Sequence, residues 1–188
     1  MHPPRIFLLP GWQNSGPGHW QTRWEALRAY PRVEQADWLW PRRGDWMVQL
    51  EEALLANTRP AVLVAHSLGC HLVAAWAAHS RHTARVRGAL LVAPPDLERA
   101  DMPPQVQGWA PMLRRRLPCP STLVLSDDDP FCAPERALQL AADWGSRAVT
   151  LVGAGHVNAD SGLGDWPAGL ALLDDLAAGA GVGASHRV

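Results

Sequence analysis

The chain has 188 residues, 47% of them hydrophobic, which is enough for one well-buried core and leaves little for a second domain. Its 17 basic and 18 acidic side chains give a formal net charge of −1, so no broad field draws it to phosphate backbones or anionic membranes, and nucleic acid is not an expected partner. No apolar run approaches the roughly 20 residues of a membrane span, the start MHPPRIFLLPGW breaks at Pro10 before a signal-type region develops, and Cys70, Cys119 and Cys132 form neither an even framework nor a CxxC pair, so a cytoplasmic protein with reduced thiols is expected.

In chain order, the first apolar burst is RIFLLP (5 to 10), followed by a glycine-bearing loop and a helical pattern in GHWQTRWEALRAY (18 to 30). RVEQA (32 to 36) is a weaker candidate for an outer strand, and GDWMVQLEEALLAN (44 to 57) returns to helical spacing. Next come AVLVA (61 to 65), the helix LGCHLVAAWAAH (68 to 79) and the strand GALLVAP (88 to 94). Residues 95 to 120 are proline-rich and without pattern. STLVLS (121 to 126), the helix PERALQLAADWG (134 to 145), AVTLVG (148 to 153) and the helix WPAGLALLDDLAA (166 to 178) complete the series. The strands are continuously apolar and do not alternate, as strands buried on both faces of a parallel sheet are. Strand and helix in turn predict a three-layer α/β sandwich, a mostly parallel sheet of about six strands with helices on both faces and no large lid. Residues 1 to 178 form the expected single domain. The small, aperiodic residues 179 to 188 are expected to be a disordered tail.

The junction AHSLG (65 to 69) lies where AVLVA ends and the next helix starts, which is the setting of a nucleophile elbow. A sharp turn there lifts the Ser67 hydroxyl above the sheet edge, beside helix N–H groups that can face negative charge. The crowded turn demands small residues two before and two after the serine; Ala65 and Gly69 satisfy this. The plainer reading makes Ser67 a helix cap. A serine nucleophile needs a base oriented by an acid. LVLSDDDPFCAP sets Asp127, Asp128 and Asp129 after one strand, and LVGAGHVNAD sets His156 after the next. The order serine, aspartate, histidine is that of α/β-hydrolases. Asp129 is the preferred acid because Pro130 fixes the backbone after it, with Asp127 and Asp128 as alternatives. A metal site is disfavoured, since no second acidic or histidine cluster stands at a matching strand end, and no cofactor is expected. Among the other histidines, His79 and His82 fall at a helix end, His71 within the helix, His2 and His186 at the termini, and His66 beside the serine.

An oxyanion hole needs two backbone donors: the N–H of Leu68 is one, and Trp12, in the loop LLPGWQNSGPGHW where Gly11 permits the tight turn, supplies the other. Gly11 to Gly16 mimics a phosphate loop, but Pro17 and Gly18 stand where Lys and Ser or Thr belong. Most of the ten tryptophans are expected to pack in the core. Trp109, in the long loop, is placed at the pocket with Gly11, His66 and Pro95. Arg114 to Arg116 reads as a solvated helix end.

With LLPGWQNSGPGHWQTRWE, VAHSLGC, LVAPPD, SDDDPF and GAGH together, the chain resembles the small serine hydrolases of the retinoblastoma-binding protein 9 type, within the α/β-hydrolase superfamily. The resemblance implies a minimal hydrolase without a large lid, with Ser67 as nucleophile, Asp129 as orienting acid and His156 as base. The expected activity is hydrolysis of small to medium carboxylic esters, with amides or thioesters as further acyl classes, by a monomer or small homo-oligomer. The competing expectation is an inactive chain of this fold that acts as a binding module.

Overall fold

A computed structural model describes residues 3 to 179; the expected disordered segment beyond Gly179 lies outside the described residues. Five strands, β1 (Arg5–Leu9), β2 (Ala61–His66), β3 (Val86–Val92), β4 (Ser121–Ser126) and β5 (Arg147–Leu151), form one parallel sheet in the order β1-β2-β3-β4-β5. Five α-helices accompany them: α1 (Trp20–Arg28), α2 (Arg43–Leu55), α3 (Leu68–His79), α4 (Pro134–Trp144) and α5 (Pro167–Ala178).

The period of two along each strand divides the core between two faces. Phe7, Leu9, Leu63, Ala65, Leu91, Leu123 and Leu125 meet apolar side chains of α2, α3 and α4, whereas Ile6, Leu8, Val62, Val64, Leu90, Val92 and Val124 meet Trp20 and Trp24 of α1 and Leu170, Leu173 and Leu176 of α5. Both sides of the central strands are therefore covered, which explains their continuously apolar sequences. Helix α3 is the most enclosed, with every residue from Leu68 to Trp76 buried.

The sixth strand expected at 32 to 36 is a single bridge between Leu8 and Arg32. Leu8 N–H donates to Pro31 O and Val33 N–H to Leu8 O, both at 2.9 Å, and the ladder goes no further. The Arg32 guanidinium instead turns to Asn14, Ser15, Thr22 and Glu25 and holds the loop after β1. Helix α1 begins two residues later than the pattern predicts because His19 caps it, with Nδ1 accepting the Gln21 N–H at 3.1 Å. Arg114 to Arg116 ends no helix: Arg114 pairs with Glu98, and the Arg116 side chain lies against Gly145. Between β3 and β4 the ordered piece is a short 3-10 helix, Pro104–Trp109.

Candidate active site

Pairing in register brings Leu9, Ala65, Leu91 and Leu123 into one row, so the loops after β1 to β4 leave from a common edge of the sheet. Ser67 follows β2 directly, with φ 53° and ψ −122°. A side chain at such a φ is strained by about 1 to 3 kcal/mol and persists only where its surroundings enforce it. Two features enforce it here: Ser67 N–H donates to Val92 O at 2.9 Å, and Ser67 O accepts from Cys70 N–H at 2.9 Å. The hydroxyl makes no capping bond to α3, so the plainer reading of this serine as a helix cap does not hold.

The turn is also crowded. A Cβ at Gly69 would stand 2.3 Å from Leu9 O and 2.9 Å from Pro10 O, both backbone atoms that cannot yield. At Gly11 a Cβ would stand 2.7 Å from the Ser67 Cβ and 3.2 Å from Leu68 N, so the loop after β1 lies directly on the serine. Neither the Trp12 N–H nor the Leu68 N–H donates to another backbone group among the described residues.

His156 reaches the serine from the loop after β5. Its Nε2 is 2.8 Å from Ser67 Oγ, and its Nδ1 is 3.0 and 2.9 Å from the two carboxylate oxygens of Asp129. A carboxylate only accepts, so Nδ1 carries the proton and Nε2 is left to accept from the serine hydroxyl. The Asp129 side chain is 3% exposed and also accepts the Phe131 N–H at 2.9 Å. The neighbouring carboxylates have other partners: Asp127 accepts from Gly153 N–H, and Asp128 from Ser126 Oγ–H and Gly155 N–H. Those last bonds hold the Asp128 carboxyl below its usual range. Of the three, Asp129 meets the imidazole, and the other two brace the backbone on which His156 sits. Trp20 of α1 fastens the same loop, its indole N–H donating to Val157 O at 2.8 Å.

A cavity of about 340 Å³ opens over Ser67 and His156. Trp12, His66, Leu68 and Pro95 line it, while Gly11 packs against the Ser67 Cβ and is not part of the lining. His66 is neutral because burial, then His19 and His156, push its pKa well down; its Nε2–H donates to His156 O at 2.9 Å. Trp109 does not line the cavity. It is 2% exposed, with its indole N–H on Pro41 O at 2.9 Å, because burying so large a ring against Trp46 removes more apolar surface than a cavity wall would. The same segment lines the cavity with Leu97, Met102, Pro103 and Val106 instead, and Phe131 stands edge-on to the His156 ring at 4.6 Å. Sequence reasoning passes over these residues and over Asn14, His19 and Asn158. Only Phe131 carries a local signal, lying two residues after Asp129.

The comparisons agree with this architecture. The model of the serine hydrolase family matches residues 6 to 175. A structure from Pectobacterium atrosepticum, described as a YdeN-like hydrolase, is 28% identical over 92% of this chain and 90% of its own, with a TM-score of 0.81. The ydeN gene product of Bacillus subtilis (19% identity, 92% and 98% covered, TM-score 0.73) and the carboxylesterase CesB of Bacillus subtilis (15%, 94% and 83%, TM-score 0.60) share the fold. No curated protein matches the chain. With the family model spanning nearly all of the described residues, on a parallel α/β-hydrolase sheet without a large lid, the chain belongs to the serine hydrolase family.

Proposed function

We propose that this chain cleaves small to medium carboxylic esters through an acyl-enzyme, with Ser67 as nucleophile, His156 as general base and then acid, and Asp129 as the group that fixes the imidazole tautomer. The observation that carries the reading is the hydrogen-bonded series Ser67 Oγ, His156 Nε2, His156 Nδ1, Asp129 at 2.8 to 3.0 Å, built on a serine held at positive φ. Serine alone is a poor nucleophile at neutral pH; removal of its proton by His156 as it attacks the carbonyl makes it competent. The Trp12 and Leu68 N–H groups then hold the tetrahedral oxyanion, a pair in which one donor is worth about 100- to 1,000-fold in turnover. His156 gives the proton to the leaving oxygen, and water activated by the same imidazole releases the acid. A cavity of about 340 Å³, apolar where Leu97, Met102, Pro103 and Val106 line it, fits an acyl chain of modest length better than a polymer. The resemblance to the retinoblastoma-binding protein 9 type points to the same minimal hydrolase.

Fluorophosphonate labelling read by intact mass, with hydrolysis of p-nitrophenyl acetate, butyrate and octanoate, tests this. One adduct on the native chain, absent in Ser67→Ala, with turnover falling by at least about 1,000-fold, is the expected result. No adduct and no turnover in the folded protein would overturn it in favour of a binding module.

A further inference from the structure

The cavity has two unlike walls. Leu97, Met102, Pro103 and Val106 belong to the segment after β3, and Leu97, Met102 and Val106 pack on the α2, α3 and α4 face. Opposite them, Asn14 and His19 come from the loop after β1, and Asn158 follows His156. These two loops meet on the α1 and α5 face: Trp20 bonds Val157 O, and Gly18 approaches Ala159. In the hydrolase reading His156 hands its proton to the leaving oxygen, and the polar wall is the one that shares the His156 loop.

His19 on that wall holds an unsatisfied donor. It is 4% exposed, and burial, then Arg32 and His156, lower its pKa to about 4, so the ring is neutral. Its Nδ1 accepts the Gln21 N–H at 3.1 Å, which places the proton on Nε2. Among the described residues no acceptor lies within bonding distance of that Nε2–H, and the ring stands edge-on to His66 at 4.6 Å. Among the described residues, the buried side-chain polar atoms left without a bond are on His19, Gln35, His71, Gln105 and Arg136, and His19 alone of these lines the cavity. A buried unpaired donor is costly, and its presence in a site calls for an acceptor supplied from outside the chain.

We infer that His19 is a specificity-determining residue whose Nε2–H receives an oxygen of the leaving group, so that the chain prefers esters of hydroxylated alcohols over esters of plain alkyl alcohols. This rests on the hydrolase reading above. The test compares kcat/KM for glyceryl monobutyrate and n-propyl butyrate, which share the acyl group and the carbon count of the alcohol. The native chain favours the glyceryl ester by about tenfold or more, the ratio that one paired buried donor sustains. In His19→Asn the side-chain oxygen can still cap α1 but the distal donor is gone, and the ratio falls toward one. In His19→Gln the distal amide N–H returns while the cap is lost, and the ratio recovers although the melting temperature drops. A purely structural His19 would give the opposite order, with the ratio following the cap, and that would overturn the inference. Equal native rates on both esters would also overturn it while leaving the hydrolase intact. Failure to hydrolyse either ester, without fluorophosphonate labelling, would remove the hydrolase reading itself.

Discussion

The turn at Ser67 and the segment between β3 and β4 both line the cavity, and they are built in opposite ways. At Ser67 a few residues are held by strand ladder, helix and two steric limits, Gly11 and Gly69, so the serine has one available position. From Pro95 to Pro120 the chain has only a short 3-10 helix, and it is anchored by side chains: Glu98 accepts from Met112 N–H, Arg114 and Arg136, and Asp96 pairs with Arg136. Although desolvation opposes it, the Met112 N–H and the two guanidinium groups hold the Glu98 carboxyl below its usual range. The proposed mechanism gives the difference a physical reason: proton transfer tolerates almost no positional error, so residues proposed for it belong on strained, overdetermined backbone, whereas a wall proposed for an acyl chain needs only shape and apolar surface. The rigid region should therefore answer to single atoms and the long segment to how it is fastened.

The largest effect is expected within the aspartate run. Asp129→Asn should lower kcat for p-nitrophenyl butyrate by about 10,000-fold, since the amide favours the wrong imidazole tautomer. Asp128→Asn, which keeps an acceptor for the Gly155 N–H, should cost far less; equal losses in the two variants would erase the distinction between acid and brace. Next is Gly69→Ala, where the new methyl meets Leu9 O and Pro10 O; unfolding in urea should show a loss of about 3 kcal/mol, and a native midpoint would mean that the turn is not tightly packed.

The smallest effect concerns the joint of the two regions, where His71 of α3 donates Nε2–H to Pro95 O at 2.8 Å. Burial lowers the His71 pKa from 6.5 to about 4, against the weaker opposing pull of the Pro95 carbonyl, Asp96 and Glu98. The unfolded chain then binds this proton more readily than the folded one, so stability is full above pH 6.5 and declines as pH falls toward 4. His19 and His66 act with the same sign. His71→Gln keeps a donor for Pro95 but cannot titrate, so its stability should vary with pH by about one proton less over this window. An unchanged slope would show that the joint does not sense pH.

Legibility follows the same division. STLVLS at 121 to 126 is β4 residue for residue, and residues 68 to 79 are α3, because apolar runs and helical spacing are short-range properties that the surroundings here reinforce. RVEQA fails as a strand because Val33 alone of its residues is buried, which offers the sheet edge one bridge and no buried face. Pro130 favours Asp129 in the sequence but leaves Asp127 and Asp128 open, since which carboxylate meets the ring depends on a loop arriving from β5, 27 residues on. Trp109 misleads for a related reason: its position in a loop above the sheet says nothing of the Pro41 carbonyl waiting across the core.

By itself the sequence determined the five sheet strands and five helices to within a few residues, the serine at its turn, and the order serine, aspartate, histidine, all of which follow from periodicity and from backbone limits acting within a few residues. Only the tertiary structure decided which of the three carboxylates faces His156, which tryptophan leaves the pocket, and that among the described residues His19 holds a buried donor without an acceptor. Those outcomes depend on groups brought together from distant parts of the chain, and hydrogen-bond satisfaction and close packing are settled only when all of them are in place.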